Sequence, residues 1–233
     1  MWAHVVTSKG PKDIWACKQL VKDIESTGRS SIRLKADGEL AIVALQSSII
    51  ARRPLPRNTI PTNPAAYDPQ ANGAIEKGMQ DFFVVLRKLK IGLEKSLKIT
   101  ITSKHPIMEW MVEHAAFVQT RFAVGHDSKT GHERLGGRKF RGRIVEFGEQ
   151  VWARLARPQQ RGKQKKKLAP RWTQATWVGI TQRSGEHKVV TASGRAVRVR
   201  TIKRFPIETR WLKDNHGNRS DSKTAESQRS ATR

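Results

Sequence analysis

The chain has 233 residues, of which 45 are Lys or Arg and 20 are Asp or Glu, so its formal net charge is +25. A surplus of this size requires a polyanionic partner, and nucleic acid is the commonest one. A single cysteine excludes a disulfide framework, and one Cys with seven His excludes a Cys-rich zinc finger. The longest apolar stretch, residues 40–50, is too short and too polar to cross a bilayer, and the first residues lack a signal-peptide pattern. We therefore expect a soluble intracellular protein without a membrane partner.

The first fifty residues alternate between strand and helix patterns. Residues 1–7 form a short β-rich run before a Lys-Gly-Pro turn, and residues 12–26 have the apolar spacing of an amphipathic helix. Residues 31–36 alternate apolar and polar side chains as a strand does, and a helix is predicted over 39–51. This β-α-β-α succession is typical of an α/β domain.

The rest of the chain changes its pattern twice. Residues 54–69 contain five prolines and predict an irregular connection, whereas apolar residues three or four apart predict helices over 70–97 and 107–124. Beyond residue 146, four short β-like runs are separated by glycine-containing turns. The runs cover 149–156, 174–181, 187–192 and 195–202. This arrangement favours a small barrel.

Positive charge is concentrated in the second half of the chain. Residues 138–204 contain 19 Lys and Arg against 3 acidic residues, which is +16 of the total +25. We predict a mixed globular domain over 1–130, a linker over 131–145, a basic β domain over 146–211, and a disordered tail over 212–233. An asymmetry of this kind separates a working domain from one that holds nucleic acid.

Two carboxylates have positions that suit a metal site. Asp37 follows a predicted strand at its carboxyl end, where open α/β sheets place their active sites. Glu76 lies in the first turns of the long predicted helix. Mg²⁺ prefers a few carboxylates together with phosphate oxygens and water, and two such ions would assist phosphodiester transfer. Solvated surface carboxylates are the alternative interpretation.

These residues lie in segments that resemble a known family. KADGE at 35–39 and YDPQANGAIE at 67–76 resemble the central and last acidic motifs of retroviral-type integrases. Further segments resemble copia-like retrotransposon polyproteins, in the same order along the chain and nearly up to Trp211: WMVEHAA at 110–116, ERLGGRKF at 133–140, VEFGEQV at 145–151, PRW at 170–172, WVGI at 177–180, SGE at 184–186, RFP at 204–206 and RW at 210–211.

The resemblance implies a fold and an activity. The expected fold class is an α/β ribonuclease H-like core, lacking its first strands, followed by a small all-β SH3-like barrel. The implied activity of the parent enzyme is metal-dependent DNA strand transfer, with Asp37 and Glu76 as catalytic residues and ligands of Mg²⁺ or Mn²⁺. The implied partner is DNA, bound nonspecifically, with a possible homo-oligomer. The implied location is the nucleus or a cytoplasmic retroelement particle.

This sequence departs from the family in one important respect. The first Asp of the family's triad lies on a strand that would precede residues 2–6, so two of the three ligands remain. Glu39 or Asp68 is an alternative source of the third carboxylate. We expect weak or absent metal binding, impaired catalysis and a loosened N-terminal domain, hence an integrase-derived fragment that binds DNA.

The basic half supplies the predicted DNA contacts. Phosphate contacts give affinity without sequence choice. The candidate residues are Arg161, Lys163, Lys165, Lys166, Lys167, Arg171, Arg195, Arg198 and Arg200. A nuclear-import signal is an alternative use of the run at 161–167. Four tryptophans interleave with this charge (Trp152, Trp172, Trp177 and Trp211), and we assign most of them to the barrel core and one or two to base stacking.

Other interpretations remain open at this stage. A non-catalytic protein that binds nucleic acid through its basic half is the second hypothesis, and an RNA-associated protein of ribosomal type is the third. His105 and His114 lack a Cys partner, so we expect them on helix surfaces or as caps rather than as metal ligands. Cys17 has no catalytic partner in a motif and is interpreted as a buried thiol.

Overall fold

The structure is a computed structural model that describes residues 1–54, 56–63, 73–156, 170–182 and 184–211. Its elements are α1 (Ile14–Glu25), β1 (Ser31–Lys35), α2 (Leu40–Arg52), β2 (Asn58–Thr62), α3 (Gly73–Leu97), α4 (Ile107–Phe122), α5 (Gly131–Gly136), β3 (Gln150–Arg154), β4 (Trp172–Ile180), β5 (His187–Thr191), β6 (Ala196–Val199), β7 (Ile202–Arg204) and a 3₁₀ turn (Ile207–Thr209). Within these ranges, none of the helices has the length and apolarity needed to span a membrane.

The first two helices form where the sequence predicts them and pack against each other. Asp13 caps α1, because its side chain accepts a hydrogen bond from the amide of Ala16 at 3.1 Å. Cys17 is fully buried, and Ser48 of α2 donates a hydrogen bond to its Sγ at 3.6 Å. The prediction of a buried thiol is thus confirmed.

Strands β1 and β2 pair in parallel on either side of α2, which makes a β-α-β unit. The prediction that residues 54–69 form an irregular connection is therefore wrong for 58–62. Pro61 is tolerated in this strand, opposite Leu34, because β2 has a ladder partner on one side only in this two-stranded sheet.

A buried arginine holds β2 in place. The Arg53 guanidinium donates to the carbonyl oxygens of Asn58 and Arg29, both at 3.1 Å, and to the carboxylate of Glu25 at 2.9 Å. These bonds link the end of α2 to the starts of both strands and to α1. Because they join distant parts of the chain, the proline-rich local sequence does not reveal the strand.

The predicted strand over residues 1–7 is not formed. The segment is held by helices instead: the α-amino group of Met1 donates to Oγ1 of Thr120 at 2.8 Å, and the same hydroxyl lies 2.9 Å from the Met1 carbonyl oxygen. Met1 and Ala3 pack against Phe82 and its buried neighbours on α4. Contacts with α1, α3 and α4 thus replace the strand ladder that the local pattern predicts.

Helices α3 and α4 pack together and extend their core into the second sheet. Leu93 and Leu97 of α3 and Met111 of α4 form one buried cluster with Phe147 and Val178 from the C-terminal half. The first apolar residues of the α3 repeat, Ile75 and Met79, are exposed. The residues before α3, 64–72, lie outside the described part of the chain.

The second sheet has five antiparallel strands in the order β6-β5-β4-β3-β7. Strands β3 to β6 correspond to the four predicted runs, while β7 was not predicted. The order brings the last strand back beside the first, an arrangement compatible with the expected SH3-like barrel, which stays a prediction. The tail at 212–233 is outside the described residues.

The hydrophobic core continues across the predicted boundary between the two halves. Phe117 of α4 belongs to the same buried cluster as Val151 and Trp177 of the sheet. The predicted linker contains α5, which begins with a capping box in which Thr130 and Glu133 bond each other's backbone amides. Helix α4 therefore contributes to the interior of both halves.

His114 corrects another expectation. His105 caps a helix start, since its Nδ1 accepts from the amide of Ile107, but His114 is 4% exposed and lies in the core rather than on a helix surface. Its ring stacks on Phe117 and Phe147 and meets Trp177 edge-on. Burial lowers the pKa of His114 to about 4, so the ring is neutral at pH 7.

Candidate nucleic-acid interface

The two predicted metal ligands line one cavity. Asp37 follows β1 by two residues, Glu76 lies in the first turn of α3, and the cavity between them has a volume of about 400 Å³. Its wall includes Ile42 and Ile75, and Gln46, which donates to the carbonyl oxygen of Leu34 at 2.6 Å. Both carboxylates are exposed.

The described residues do not fit a two-metal centre. They contain no group of three or more His, Cys, Asp or Glu side chains that is arranged to hold a metal ion. Glu39 pairs with Lys9 in an exposed ion pair instead of completing the site, and Asp68 lies outside the described residues. Two exposed carboxylates are too few to clamp two Mg²⁺ ions and a phosphodiester.

A second candidate surface is the side of strands β7, β3 and β4 that points away from the core, and we call it the outer face. Trp152 of β3 stands opposite Lys203 of β7, and Arg154 of β3 stands opposite Trp172 of β4. Residues two apart on a strand and directly opposite on neighbours share one side of a sheet. The inward residues Val151 and Ala153 are fully buried, so these four side chains point away from the core.

The aromatic rings of the outer face are held in position. Trp152 is 40% exposed, and its ring stacks on Phe205 with centroids 5.0 Å apart and planes 16° from parallel. The ammonium group of Lys203 lies 4.9 Å from the centroid of the Trp172 ring. A cation over a ring face is attracted by the ring's quadrupole. The outer face thus alternates flat rings with cations.

A buried carboxylate fixes β7, and with it Lys203 and Phe205. Glu149 is fully buried and accepts two hydrogen bonds from the Arg204 guanidinium, at 2.6 and 2.5 Å. Arg210 adds a third contact at 3.5 Å. The hydrogen bonds to Glu149 raise the pKa of Arg204 above its ordinary value. This bidentate pair bonds the last strand to the residue just before the first strand of the sheet.

The predicted DNA-binding residues divide into two groups. The five at 161–167, Arg161, Lys163, Lys165, Lys166 and Lys167, lie outside the described residues. Arg171 is exposed and adjoins the outer face, since its carbonyl oxygen accepts from the amide of Leu155. Arg195, Arg198 and Arg200 are all exposed, but only Arg198 lies in a strand, and Arg200 pairs with Glu186 at 3.5 Å.

Several members of the outer face were not predicted as binding residues. Of the four tryptophans assigned mostly to the core, Trp177 is fully buried, Trp172 and Trp211 are half-buried, and Trp152 is exposed. Arg154, Lys203 and Phe205 were missed. The alternation Trp152-x-Arg154 in β3 is the local signal that places a ring and a cation on one side of a strand.

Comparison with known proteins adds no assignment: no protein-family model matches the chain, and no curated protein matches it at a significant level.

Proposed function

We propose that this chain is an integrase-derived protein that binds DNA nonspecifically, through phosphate contacts and base stacking on the outer face. The observation that carries the proposal is that three aromatic rings and two cations share one surface: Trp152, Trp172, Phe205, Arg154 and Lys203. The net charge of +25 supports a polyanionic partner.

The arrangement suits unpaired nucleotides. Stacking a base on an aromatic side chain contributes about 1–3 kcal/mol, and it requires a base that has left its own stack. Cations beside the rings then contact the phosphates of the same strand. We therefore expect single-stranded DNA to bind more tightly than duplex DNA of equal length. RNA of the same sequence should bind similarly, because no described feature of this surface selects for the 2′-hydroxyl group.

The proposal is tested by fluorescence anisotropy with labelled single-stranded DNA, duplex DNA and RNA over a series of salt concentrations. Trp152→Ala should weaken binding to single-stranded DNA by about 5- to 150-fold, because it removes one stacking platform. Trp152→Phe keeps a ring and should restore most of the affinity. Phe83→Ala, which removes an exposed aromatic ring on α3, is the matched control and should leave affinity unchanged.

The electrostatic part has its own readout. Log Kd should change linearly with log salt concentration, with a slope of about 0.7 for each phosphate contacted on a single strand. Lys203→Gln should lower that slope by about 0.7, the value for one phosphate contact. Lys88→Gln, which replaces an exposed lysine on α3, should lower the slope little. Equal effects of Trp152→Ala and Phe83→Ala, with a flat salt response, would contradict the proposal.

Strand transfer is the second candidate function. The observation in its favour is that Asp37 and Glu76 line one cavity, as the integrase resemblance implies. The lack of a third metal-ligating side chain beside Asp37 and Glu76 among the described residues argues against it.

A further inference from the structure

A second cavity, with a volume of about 730 Å³, lies where α4 ends. Its walls come from the end of α4, from α5, from residues 138–141 and from the turn that joins β4 to β5. The polar residues that matter here are Arg121, His132, Arg138, Lys139, Arg141 and Ser184. The volume is in the range of sites that hold small-molecule ligands.

Arg121 is a buried cation in the lining of this cavity. It is 6% exposed, and its Nε and Nη1 atoms have no hydrogen-bond partner among the described residues. Its guanidinium lies 4.0 Å from the centroid of Phe117 and 5.4 Å from that of Phe140. Burial lowers the pKa of Arg121, which reflects the cost of removing the cation from water. Buried guanidinium N–H groups without hydrogen-bond acceptors are rare, so these two N–H groups call for an acceptor.

Nothing in the described lining neutralises this charge. The lining contains no Asp or Glu. Of the nearby carboxylates, Glu133 is engaged in the capping box of α5, and Glu186 accepts a hydrogen bond from Ser184 and pairs with Arg200. Burial, together with the charges of Arg121 and Arg138, lowers the pKa of His132. The cavity therefore has a positive potential that an anion would satisfy.

We propose that this cavity binds a phosphate group. The buried Arg121 donates hydrogen bonds to the phosphate oxygens, and the exposed side of the cavity supplies further positive charge from Arg138, Lys139 and Arg141. The planar guanidinium matches the oxygens of phosphate, and charge-assisted hydrogen bonds to it are the strong ones. The phosphate comes either from a nucleic-acid backbone, which rests on the proposed function, or from a free phosphate compound.

The first experiment titrates inorganic phosphate into the full chain by calorimetry, at constant ionic strength maintained with KCl. We expect saturable binding of one phosphate. Arg121→Gln should weaken this binding at least tenfold, and so should the double variant Arg138→Gln/Arg141→Gln. Arg33→Gln removes the charge of an exposed arginine on β1 that does not line the cavity, and it should leave phosphate binding unchanged.

The double variant changes exposed residues only, so it carries the test if Arg121→Gln fails to fold, as judged by circular dichroism. The proposal is overturned if phosphate binding does not saturate in the unmodified chain. It is also overturned if Arg33→Gln reduces binding as much as the cavity variants do.

The second experiment distinguishes the sources of the phosphate. A labelled single-stranded oligonucleotide is displaced with phosphate or with KCl of equal ionic strength. Displacement by phosphate beyond that by KCl, lost in Arg138→Gln/Arg141→Gln, assigns the cavity to the nucleic-acid backbone. Equal displacement by phosphate and KCl, with saturable phosphate binding, assigns it to a free phosphate compound.

The two proposals fail separately. If the chain binds phosphate saturably but no oligonucleotide, the cavity stands and the proposed function falls. If the chain binds oligonucleotide through the outer face but does not bind phosphate saturably, the proposed function stands and the cavity proposal falls.

Discussion

Lys188 of β5 and Glu113 of α4 form an ion pair at the junction between the helices and the second sheet. The lysine is 4% exposed, and its ammonium group lies 6.0 Å from the centroid of Trp110. The pair connects α4 to β5 at a distance of 75 residues along the chain.

Because Lys188 is buried, removing its partner should be costly. Glu113→Gln leaves an uncompensated ammonium group, and we expect it to lower the free energy of unfolding by about 3 kcal/mol. The measurement is urea unfolding followed by tryptophan fluorescence. Asp81→Asn, which breaks the exposed pair with Lys77, is the control and should cost less than about 0.5 kcal/mol. The double variant Glu113→Gln/Lys188→Met should recover much of the loss. Equal effects of Glu113→Gln and Asp81→Asn would show that the pair is solvated.

His114 should make stability depend on pH. Its pKa is about 4 in the folded chain and about 6.5 when unfolded, so between these values the unfolded state binds more protons. The stability that depends on a neutral His114 is fully present above pH 6.5 and is lost as the pH falls toward 4. The total loss in the free energy of unfolding is ~3 kcal/mol. The measurement is the free energy of unfolding at a series of pH values.

The variant His114→Phe isolates this contribution from those of other groups. Phenylalanine fills the same space between Phe117 and Phe147 and does not titrate. The stability of His114→Phe relative to the unmodified chain should rise as the pH falls from 6.5 to 4. A difference that does not change with pH would contradict the burial of a neutral ring.

Gly148 sets how closely α3 approaches the sheet. Its φ is +85°, and a Cβ at this position would lie 2.4 Å from Cδ1 of Leu93. Gly148→Ala therefore combines backbone strain with a clash, and we expect a loss of about 2–4 kcal/mol in thermal or urea unfolding.

Gly185 provides the matched control, because its φ is +67° and a Cβ there would meet nothing within 4 Å. Gly185→Ala should cost about 1 kcal/mol from backbone strain alone. The difference between the two glycine variants measures the clash, and it should shrink when Leu93→Ala is the background. Equal losses in the two variants would mean that Leu93 moves aside freely.

The two carboxylates of the first cavity are tested with a labelled DNA duplex and Mg²⁺ or Mn²⁺. We expect neither nicking nor joining above background, because the described residues supply too few ligands. Asp37→Asn and Glu76→Gln should leave DNA binding unchanged. Metal-dependent nicking that disappears in Asp37→Asn would show that another acid completes the site.

Local pattern was sufficient for some elements and insufficient for others. Alternating residues between glycine turns predict β3 to β6, and apolar spacing predicts the four longer helices. Strand β7 has only three residues and depends on Glu149, 55 residues earlier than Arg204. The strand predicted over 1–7 fails because contacts between distant segments override its β-like local pattern: this segment contacts α1, α3 and α4.

The candidate sites follow the same division. The resemblance to integrases pairs Asp37 with Glu76, which no spacing rule alone would do. A charged residue in the last turn of a helix is expected in solvent, so the burial of Arg121 between two phenylalanine rings is invisible in the sequence. Register places Trp152 beside Lys203, and register depends on contacts between distant segments.

The sharing of α4 has a consequence for chimeric proteins. A graft that begins at residue 146 would leave Phe117 and His114 behind and open the interior of the sheet, because both side chains pack inside it. The smallest transplantable unit therefore includes α4 and also α3, whose Leu93 and Leu97 share a buried cluster with Phe147 and Val178.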